Sequence, residues 1–387
     1  MRDFYEFFAG GGMARAGLGQ GWTCRFANDF DHKKGASYQE NWGDGELTVG
    51  DVREVEVADL PGRVDLAWAS FPCQDLSLAG GGAGLKGERS GTFWPFWSLI
   101  SGLNAEDRAP RLIVLENVSA TLTSHGGSDF VAIATALVEQ GYRCGALVVD
   151  AALFVPQSRP RLFVIAVKDG VDVPADLTVT GPESRFHTRQ LVAAYDKMPE
   201  EVAQRWLWWH LPVPPKRKKN FADLIESPSD GVAWRSEEET RALLDMMSPI
   251  NRAKVEGVRE TGKRVVGCVY KRTRPTASAG KVQRAEIRFD NVSGCLRTPA
   301  GGSSRQLIVV VEGKQVRSRL ITARETARLM GLPDRYKLPR NYNDAYHLTG
   351  DGVAVPVVRH LAANILEPIL AANQIEAEAN DVVEELV

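Results

Sequence analysis

Residues 3–18, DFYEFFAGGGMARAGL, combine three local signals in one short stretch. The apolar and aromatic run at residues 3–8 has the composition of a buried strand, and residues 13–18 favour a helix. Between them, three glycines let the backbone approach a ligand closely at a helix N-terminus. This order indicates the first unit of an α/β sheet that binds a ligand at its edge.

The same order of strand, turn and helix repeats through the first 170 residues. Apolar runs occur again at residues 64–69, 111–115 and 162–167, and polar or turn-forming residues follow the first two of them. The repetition predicts a doubly wound α/β sheet, in which ligands bind beyond the carboxyl ends of the strands.

The composition is that of a globular protein. Of the 387 residues, 44% are hydrophobic and 25% are charged, which argues against a collagen, a coiled coil or wholesale disorder. No apolar run reaches the roughly 18 residues of a membrane span, and the N-terminus lacks the layout of a secretory signal. We therefore expect no membrane partner and a cytoplasmic protein.

The cysteines form neither a disulfide framework nor a zinc site of standard spacing. Their number is odd and no two stand in a CxxC pair, so we expect a reducing compartment and no metal. The five are Cys24, Cys73, Cys144, Cys268 and Cys295.

Charge is distributed unevenly along the chain. The net charge is -2, yet residues 176–318 hold 25 Lys and Arg against 17 Asp and Glu, which is +8 and leaves -10 for the rest. A basic segment between acidic flanks suggests a binding site for a polyanion. The alternative, that the basic residues only decorate a solvated surface, stays open at this point.

The glycine turn, Gly10-Gly11-Gly12, does not match the dinucleotide fingerprint GxGxxG, because Arg15 occupies the place of the last glycine. This argues against a nicotinamide or flavin enzyme. About twenty residues further on, Asp29 ends a plausible second strand, where a carboxylate can bind ribose hydroxyls. Asp51 has the position to contact an adenine amino group.

Cys73 differs from the other cysteines in its setting. It follows a strand in the segment Phe71-Pro72-Cys73-Gln74 and precedes the glycine-rich residues 80–87. A thiol after a strand and beside such a loop is well placed as a nucleophile, provided that its surroundings activate it. We expect the remaining cysteines to be buried structural thiols.

Two more polar motifs stand beside predicted strands. Glu116 ends the strand at residues 111–115, where its carboxyl group can donate a proton or bind the edge of a base. Arg159 and Arg161 precede a later strand and, being two residues apart in an extended segment, share one face. Taken alone, the side chains of either motif would be interpreted as members of an ordinary surface ion pair.

Together these motifs resemble the DNA cytosine-5 methyltransferases in order and approximate spacing. Residues 319–325 with 331–333 resemble the ninth motif of that family, and residues 350–356 resemble its tenth. The resemblance covers residues 1–170 and about 319–370. It is carried by Phe8-Ala9-Gly10, Phe71-Pro72-Cys73-Gln74, Glu116-Asn117-Val118 and Gln157-Ser158-Arg159-Pro160-Arg161.

The resemblance implies the fold of an S-adenosylmethionine-dependent methyltransferase with a smaller, basic target-recognition domain inserted before the C-terminal return. The catalytic domain would comprise residues 1–175, with residues 345–387 folding back onto it. Target recognition would fall to residues 176–318, and residues 319–344 would form a hinge and the ninth motif.

The cofactor implied by the resemblance is S-adenosylmethionine, with S-adenosylhomocysteine as product. Asp29 would hold the ribose hydroxyls and Asp51 the adenine. This chain departs from the commoner family pattern at Glu6, Met13 and Asp351-Gly352, and none of these changes removes a catalytic group. The implied cofactor residues are Phe8, Gly10, Gly12, Asp29, Phe30, Asp51, Val52, Pro72, Phe93, Asp351 and Gly352.

The implied reaction is methyl transfer to carbon 5 of a cytosine that is flipped out of duplex DNA. Cys73 would attack C6 of the ring, and Glu116 would bind N3 and the 4-amino group. Arg161 would contact O2, and Arg159 would support the pocket. DNA contacts would come from Gln74, Ser77, Arg297 and Arg305.

The implied partner is double-stranded DNA, with the protein acting as a monomer. It would serve as a prokaryotic modification enzyme or an orphan methyltransferase, and a cognate restriction endonuclease acting on the same site is a partner that the family allows.

Two alternatives remain within the same resemblance. One is an RNA or tRNA cytosine-5 methyltransferase, which the long segment at residues 176–318 disfavours. The other is an inactive regulatory homologue that binds DNA, which the presence of Cys73, Glu116 and Arg161 disfavours.

Overall fold

The computed structural model describes residues 1–72, 90–183, 185–226, 231–275, 280–296 and 305–374. The chain forms two compact units. The first comprises Met1–Asp150, Pro160–Pro214 and the described residues from Val353 on, and the second comprises Ala151–Arg159 and Pro215–Gly352. The division predicted from the motifs, with changes after residues 175, 318 and 344, concerns function and stays a prediction.

The first unit is built on a seven-stranded sheet in the described part of the chain. Its strand order is β3-β2-β1-β4-β5-β7-β6. Strand β7 runs antiparallel to both of its neighbours, and the other strands are parallel. The strands are β1 Arg2–Phe7, β2 Trp22–Asp29, β3 Leu47–Val49, β4 Leu66–Ala69, β5 Leu112–Val118, β6 Tyr142–Asp150 and β7 Pro160–Lys168. The predicted doubly wound α/β sheet is therefore confirmed.

The central strands are nearly continuous runs of buried residues, as in sheets that are covered on both faces. Helices cover the sheet, and α2 among them begins at a side-chain cap. Asp31 accepts hydrogen bonds from the backbone amides of Lys33 and Lys34 and so caps α2. These helices are α1 Met13–Leu18, α2 His32–Trp42, α3 Phe93–Ala105 and α4 Ser128–Glu139.

Residues 176–214 belong to the first unit. They contain β8 Thr178–Val179, α5 Arg189–Tyr195, α6 Glu200–Ala203 and β9 Trp208–Trp209. The amide of Leu207 donates to the carbonyl of Cys144 on β6, and Trp206 packs edge-on against Phe130. The tryptophans of this segment are buried, so they serve core packing.

The second unit contains a four-stranded antiparallel sheet in the order β11-β10-β12-β13. One face of the sheet buries Val269, Ile287 and Val309 together with apolar side chains of the helical segment before it. The helices are α7 Glu237–Asp245, α8 Pro249–Glu260, α9 Ala323–Leu329 and α10 Tyr342–Asp351. The strands are β10 Arg264–Pro275, β11 Lys281–Arg288, β12 Leu307–Glu312 and β13 Gln315–Leu320.

The C-terminal helical segment begins at α11, Val355–Leu361, and packs against α1. The packing is close, because a Cβ added at Gly17 would lie 2.4 Å from Cβ of Val358. By length and composition alone, the helical stretch Tyr342–Gln374 is apolar enough to cross a membrane, but 56% of its apolar window is buried inside the protein. Burial of this kind is typical of core helices.

Candidate active site

The glycine turn after β1 has an unusual backbone. Phe8, Gly10 and Gly12 adopt positive φ angles of 57°, 56° and 73°. For a phenylalanine this conformation is strained, and such strain is common where a chain clamps a ligand. A Cβ added at Gly12 would lie 2.3 Å from Nε1 of Trp42, whereas one added at Gly10 would meet no described atom within 4 Å. Gly12 thus allows close packing of Trp42, and Gly10 faces open space.

Asp29 holds this turn in place from the end of β2. Its Oδ2 accepts a hydrogen bond of 2.7 Å from the amide of Gly10, and its Oδ1 accepts one of 2.8 Å from the amide of Asp31. Burial raises the pKa of the Asp29 carboxyl above its usual value, while these amides and Lys34 act in the opposite direction. The carboxylate is thereby fixed beside the glycine turn.

Phe30 and Asp51 flank Asp29 along the sheet edge. The ring of Phe30 is 72% exposed, which is a large apolar surface for an isolated side chain. Asn28, which is buried, donates to the carbonyls of Thr48 and Gly50 and so positions the segment that leads to Asp51. Asp51 caps a short 3₁₀ helix by accepting from the amide of Arg53, and the next residue, Val52, is buried.

Glu6 lies behind the glycine turn, in the interior. Its Oε1 accepts a hydrogen bond of 3.3 Å from the amide of Arg15, and its Oε2 is buried without a hydrogen-bond partner among the described residues. Burial raises the pKa of the Glu6 carboxyl to about 8. The Arg15 side chain turns to the Tyr38 hydroxyl, at 2.9 Å, and to Glu46.

Glu116 and Arg161 meet at the carboxyl end of β5. Because β7 is antiparallel to β5, its first residues lie beside the last residues of β5, and Val118 is paired with Arg161. Nε of Arg161 lies 3.1 Å from Oε1 of Glu116, and the two side chains are only 15% and 8% exposed. An arginine and a carboxylate with little exposure and a shared edge can bind the polar edge of a planar ring.

Asn117 connects this pair to the neighbouring strand. Its Nδ2 donates a hydrogen bond of 3.1 Å to the carbonyl of Phe71, which lies two residues after the end of β4 and precedes Pro72. Phe71 in turn packs against Phe93, which is fully buried at the start of α3. Cys73, Gln74 and Ser77 follow on this segment and lie outside the described residues.

The sheet edge therefore holds a glycine turn with a fixed carboxylate, a buried glutamate–arginine pair and the exit of the segment that carries Cys73. A sequence profile described as "C-5 cytosine-specific DNA methylase" matches residues 2–367. The chain belongs to the C-5 cytosine-specific DNA methylase family. It is a DNA (cytosine-5-)-methyltransferase, as the sequence motifs predicted.

Curated relatives of this methylase extend over nearly its whole length. The chain is 24% identical over 379 residues to the Type II methyltransferase M.HaeII of Haemophilus aegyptius, covering 95% of this chain and 94% of that protein. It is 26% identical over 379 residues to M.NlaX of Neisseria lactamica, covering 96% and 99%. It is 24% identical over 365 residues to M.HhaI of Haemophilus parahaemolyticus, covering 94% and 93%.

Solved structures share the fold of the methylase. The Dnmt2 methyltransferase of S. pombe superposes with a TM-score of 0.55 at 18% identity, covering 95% of this chain and 99% of that one. A structure described as a "putative DNA modification methyltransferase", encoded within a prophage of E. coli, gives a TM-score of 0.56 at 17% identity, covering 96% of this chain and 100% of that one. The sheet of the first unit is thus the S-adenosylmethionine-dependent methyltransferase fold.

The remaining predicted residues of the methylase lie in the second unit. Arg159 is 1% exposed, and its guanidinium donates to the carbonyls of Gly350 and Gly352 at 2.8 and 2.7 Å and to that of Leu296 at 3.2 Å. It is therefore a positioning residue that binds the backbone on both sides of Asp351. It does not share the surroundings of Arg161, although only Pro160 separates them.

Arg305 and Arg297 were predicted to contact DNA. Arg305 is half-buried, donates a hydrogen bond to Asn343 at the start of α10 and lies over the ring of Tyr342. Arg297 lies outside the described residues.

Four residues with clear roles in these networks were missing from the predicted site: Glu6, Asn28, Asn117 and Gln157. Asn28 and Asn117 each adjoin a predicted carboxylate, and Gln157 opens the motif that contains Arg159. Gln157 is fully buried, donates to the carbonyl of Leu329 and accepts from the amide of Leu296. Adjacency to a predicted residue could have identified Asn28 and Asn117, and membership of a predicted motif could have identified Gln157.

Proposed function

We propose that this methylase transfers a methyl group from S-adenosylmethionine to carbon 5 of a flipped-out cytosine in a specific duplex DNA sequence, through a covalent Cys73 adduct. The main supporting observation is the Glu116–Arg161 pair, which is nearly buried at the sheet edge where the Cys73 segment begins. The donors and acceptors of this pair that remain without a partner would be satisfied by a planar polar ring with complementary hydrogen-bonding groups.

The pair suits cytosine in particular. A protonated Glu116 carboxyl can donate to N3 while its other oxygen accepts from the 4-amino group, and Arg161 can donate to O2. Electron density drawn toward N3 and O2 during attack on C6 would be stabilised by these donors. Arg161, whose Nε lies 3.1 Å from Oε1 of Glu116, orients the Glu116 carboxyl for this contact.

The first unit also fits the proposed cofactor. The exposed ring of Phe30 offers a face for adenine, and Asp29 and Asp51 would hold the ribose hydroxyls and the adenine amino group. The open space at Gly10 leaves room beside the backbone. When bound, S-adenosylmethionine supplies an electrophilic methyl group.

The residues of the chain would act in a defined order. The Cys73 thiolate attacks C6 of the flipped cytosine, and the resulting S–C6 bond makes C5 nucleophilic. C5 would then accept the methyl group, and S-adenosylhomocysteine would be left as the second product. Loss of the C5 proton to a base restores the C5–C6 double bond and releases the Cys73 thiolate.

Base-resolution methylation sequencing tests the proposal directly. Duplex DNA of high sequence diversity is incubated with the purified chain and S-adenosylmethionine, and 5-methylcytosine is expected in one sequence context. The absence of any methylated context, while calorimetry shows that the cofactor binds, would contradict the proposed function.

The covalent step has its own test. A duplex with 5-fluorocytosine at the target position cannot lose a proton from C5, so the wild-type chain should remain attached to DNA under denaturing conditions. The Cys73→Ser variant should bind DNA but show neither turnover nor attachment. Cys24→Ser is the matched control, because Cys24 is a buried thiol on β2 that should not affect attachment.

A further inference from the structure

Strands β10 and β11 continue beyond the rest of the sheet in the second unit. β10 pairs with β12 from Arg264 to Val269, and with β11 from Cys268 to Pro275. Residues 270–275 and 281–286 therefore form a two-stranded extension, which we call the ribbon. Its outer residues are exposed on both faces, from Arg272 to Pro275 on one strand and from Lys281 to Arg284 on the other, apart from the half-buried Val282.

One face of the ribbon concentrates arginines. Arg272 lies directly opposite Arg284 in the strand register, and Tyr270 lies opposite Glu286. Residues two apart on a strand share a face, so Arg274 lies on this face too. Like charges placed directly opposite each other destabilise a sheet. The strand register thus places two positive charges opposite each other, and their repulsion does not help the unit to fold.

The carboxylates on this face are too few to neutralise the arginines. Arg272 and Arg274 share Glu286, at 3.4 and 2.6 Å, and Arg284 has no carboxylate partner among the described residues. Over the whole ribbon, five basic residues stand against one acidic residue, for a net charge of +4.

Three half-buried arginines elsewhere in the same unit each have a carboxylate of their own. Arg252 pairs with Asp245, Arg259 with Glu256, and Arg288 with Asp290. On the ribbon, by contrast, Arg272 and Arg274 share one carboxylate and are about half exposed, at 52% and 49%.

We propose that the arginine face of the ribbon binds the phosphate backbone of duplex DNA, with Arg272 and Arg284 as its central contacts. A two-stranded β-ribbon fits the major groove of B-form DNA, where arginines on its face reach the flanking phosphates. This inference rests on the proposed function and assigns part of its DNA contact to a defined surface.

The salt dependence of DNA binding tests the proposal, because each neutralised phosphate contributes about 0.9 to the slope of log affinity against log salt. Equilibrium affinity of the full chain for a duplex is measured for wild type and Arg272→Gln/Arg284→Gln. The slope should fall by about 1.8, so the ratio of variant to wild-type Kd should shrink about tenfold between roughly 50 and 200 mM salt. Arg272→Lys/Arg284→Lys should keep the wild-type slope.

The matched control removes two charges elsewhere in the unit. Arg241→Gln/Lys263→Gln changes exposed residues on α7 and just before β10, and its slope should equal that of wild type. A wild-type slope in the ribbon variant, with cofactor binding and melting temperature unchanged, would overturn the proposal. Should the double variant fail to fold, Arg284→Gln alone should still lower the slope by about 0.9. Methylation of DNA by the wild-type chain is measured in parallel. If the wild-type chain methylates DNA, an unchanged salt slope in the ribbon variant counts against the ribbon proposal and not against the proposed function.

Discussion

The side-chain amide of Asn117 donates a hydrogen bond to the carbonyl oxygen of Phe71, joining the ends of two neighbouring strands, β5 and β4. Glu116 precedes Asn117, and Cys73 follows Phe71 by two residues. The same amide accepts from the amide of Val118 at 2.8 Å and from Thr121 at 3.2 Å. One buried side chain thus fixes the start of the segment that carries Cys73, the proposed nucleophile, relative to Glu116, the proposed ligand of cytosine.

Replacing Asn117 by alanine should lower methyl transfer more than it lowers cofactor affinity. The change leaves the buried Phe71 carbonyl without its donor, at a cost of about 1–3 kcal/mol. If the loss is felt in the transition state, kcat falls by about tenfold to a hundredfold. Single-turnover kinetics and calorimetry with S-adenosylmethionine separate the two effects. Thr121→Val is the control, since Asn117 then keeps its bond to Phe71; an equal loss of kcat in that variant would contradict the role of Asn117.

Glu116→Gln alone should lower the free energy of unfolding more than the double replacement Glu116→Gln/Arg161→Met does. Removing one member of a buried ion pair leaves the other charge uncompensated, which costs about 3–5 kcal/mol when burial is complete. The pair here is 8% and 15% exposed, so we expect the lower part of that range. Denaturant unfolding measures the free energy of unfolding, and methyl transfer should be lost in both variants. A double variant that transfers methyl groups at the wild-type rate would rule out the proposed cytosine contacts.

The sequence was informative wherever a motif and its strand lie together. Asp29 and Gly10 both stood in the set of cofactor residues that the resemblance implied, and a hydrogen bond from the amide of Gly10 to Asp29 joins them. The contact of Arg161 with Glu116 depends on the reversed direction of β7, which residue periodicity does not reveal. Arg159 was grouped with Arg161, yet it binds Gly350 and Gly352, because Arg159 is the last residue of a segment of the second unit and the first unit resumes at Pro160.

Charge counting alone does not assign residues 176–214 to a unit. They lie in the basic segment because of their position between motifs, and Trp206 and Trp208 are buried in the hydrophobic core of the first unit. Burial of large aromatic rings contributes more free energy than a few surface charges, and it decides which unit a segment joins. Within the second unit, the ribbon has a net charge of +4.

Gly12→Ala and Gly10→Ala should differ in their effect on cofactor binding and stability. Both glycines have positive φ, where alanine costs about 1–2 kcal/mol. At Gly12 the added Cβ would also lie 2.3 Å from Trp42 and force the ring away from the turn. We therefore expect a larger drop in melting temperature for Gly12→Ala, accompanied by a change in tryptophan fluorescence. A greater loss of stability in Gly10→Ala would show that the open space at Gly10 does not exist in solution.

The buried carboxyl of Glu6 should make stability depend on pH. Burial raises its pKa in the folded protein from 4.5 to about 8, so over this window the folded state holds a proton that the unfolded chain releases. Stability from this group is fully present below about pH 4.5 and is lost as the pH rises through about 8. The titratable groups that interact electrostatically with the Glu6 carboxyl are Arg15, Asp29, Cys24 and Tyr38. Glu6→Gln cannot ionise, so its advantage over wild type should grow by up to about 1.4 kcal/mol per pH unit in this window.

Denaturant unfolding at a series of pH values compares wild type with Glu6→Gln and with Glu46→Gln. Glu46 is the matched control because it is a partly exposed carboxylate that pairs with Arg15 in the same network, at 3.4 Å. The difference between wild type and Glu6→Gln should widen as the pH is raised, whereas the Glu46 variant should show no comparable widening between about pH 6 and about pH 8. A difference that stays constant with pH would mean that Glu6 is ionised in the folded protein, with its negative charge stabilised by Arg15 and the amides of α1.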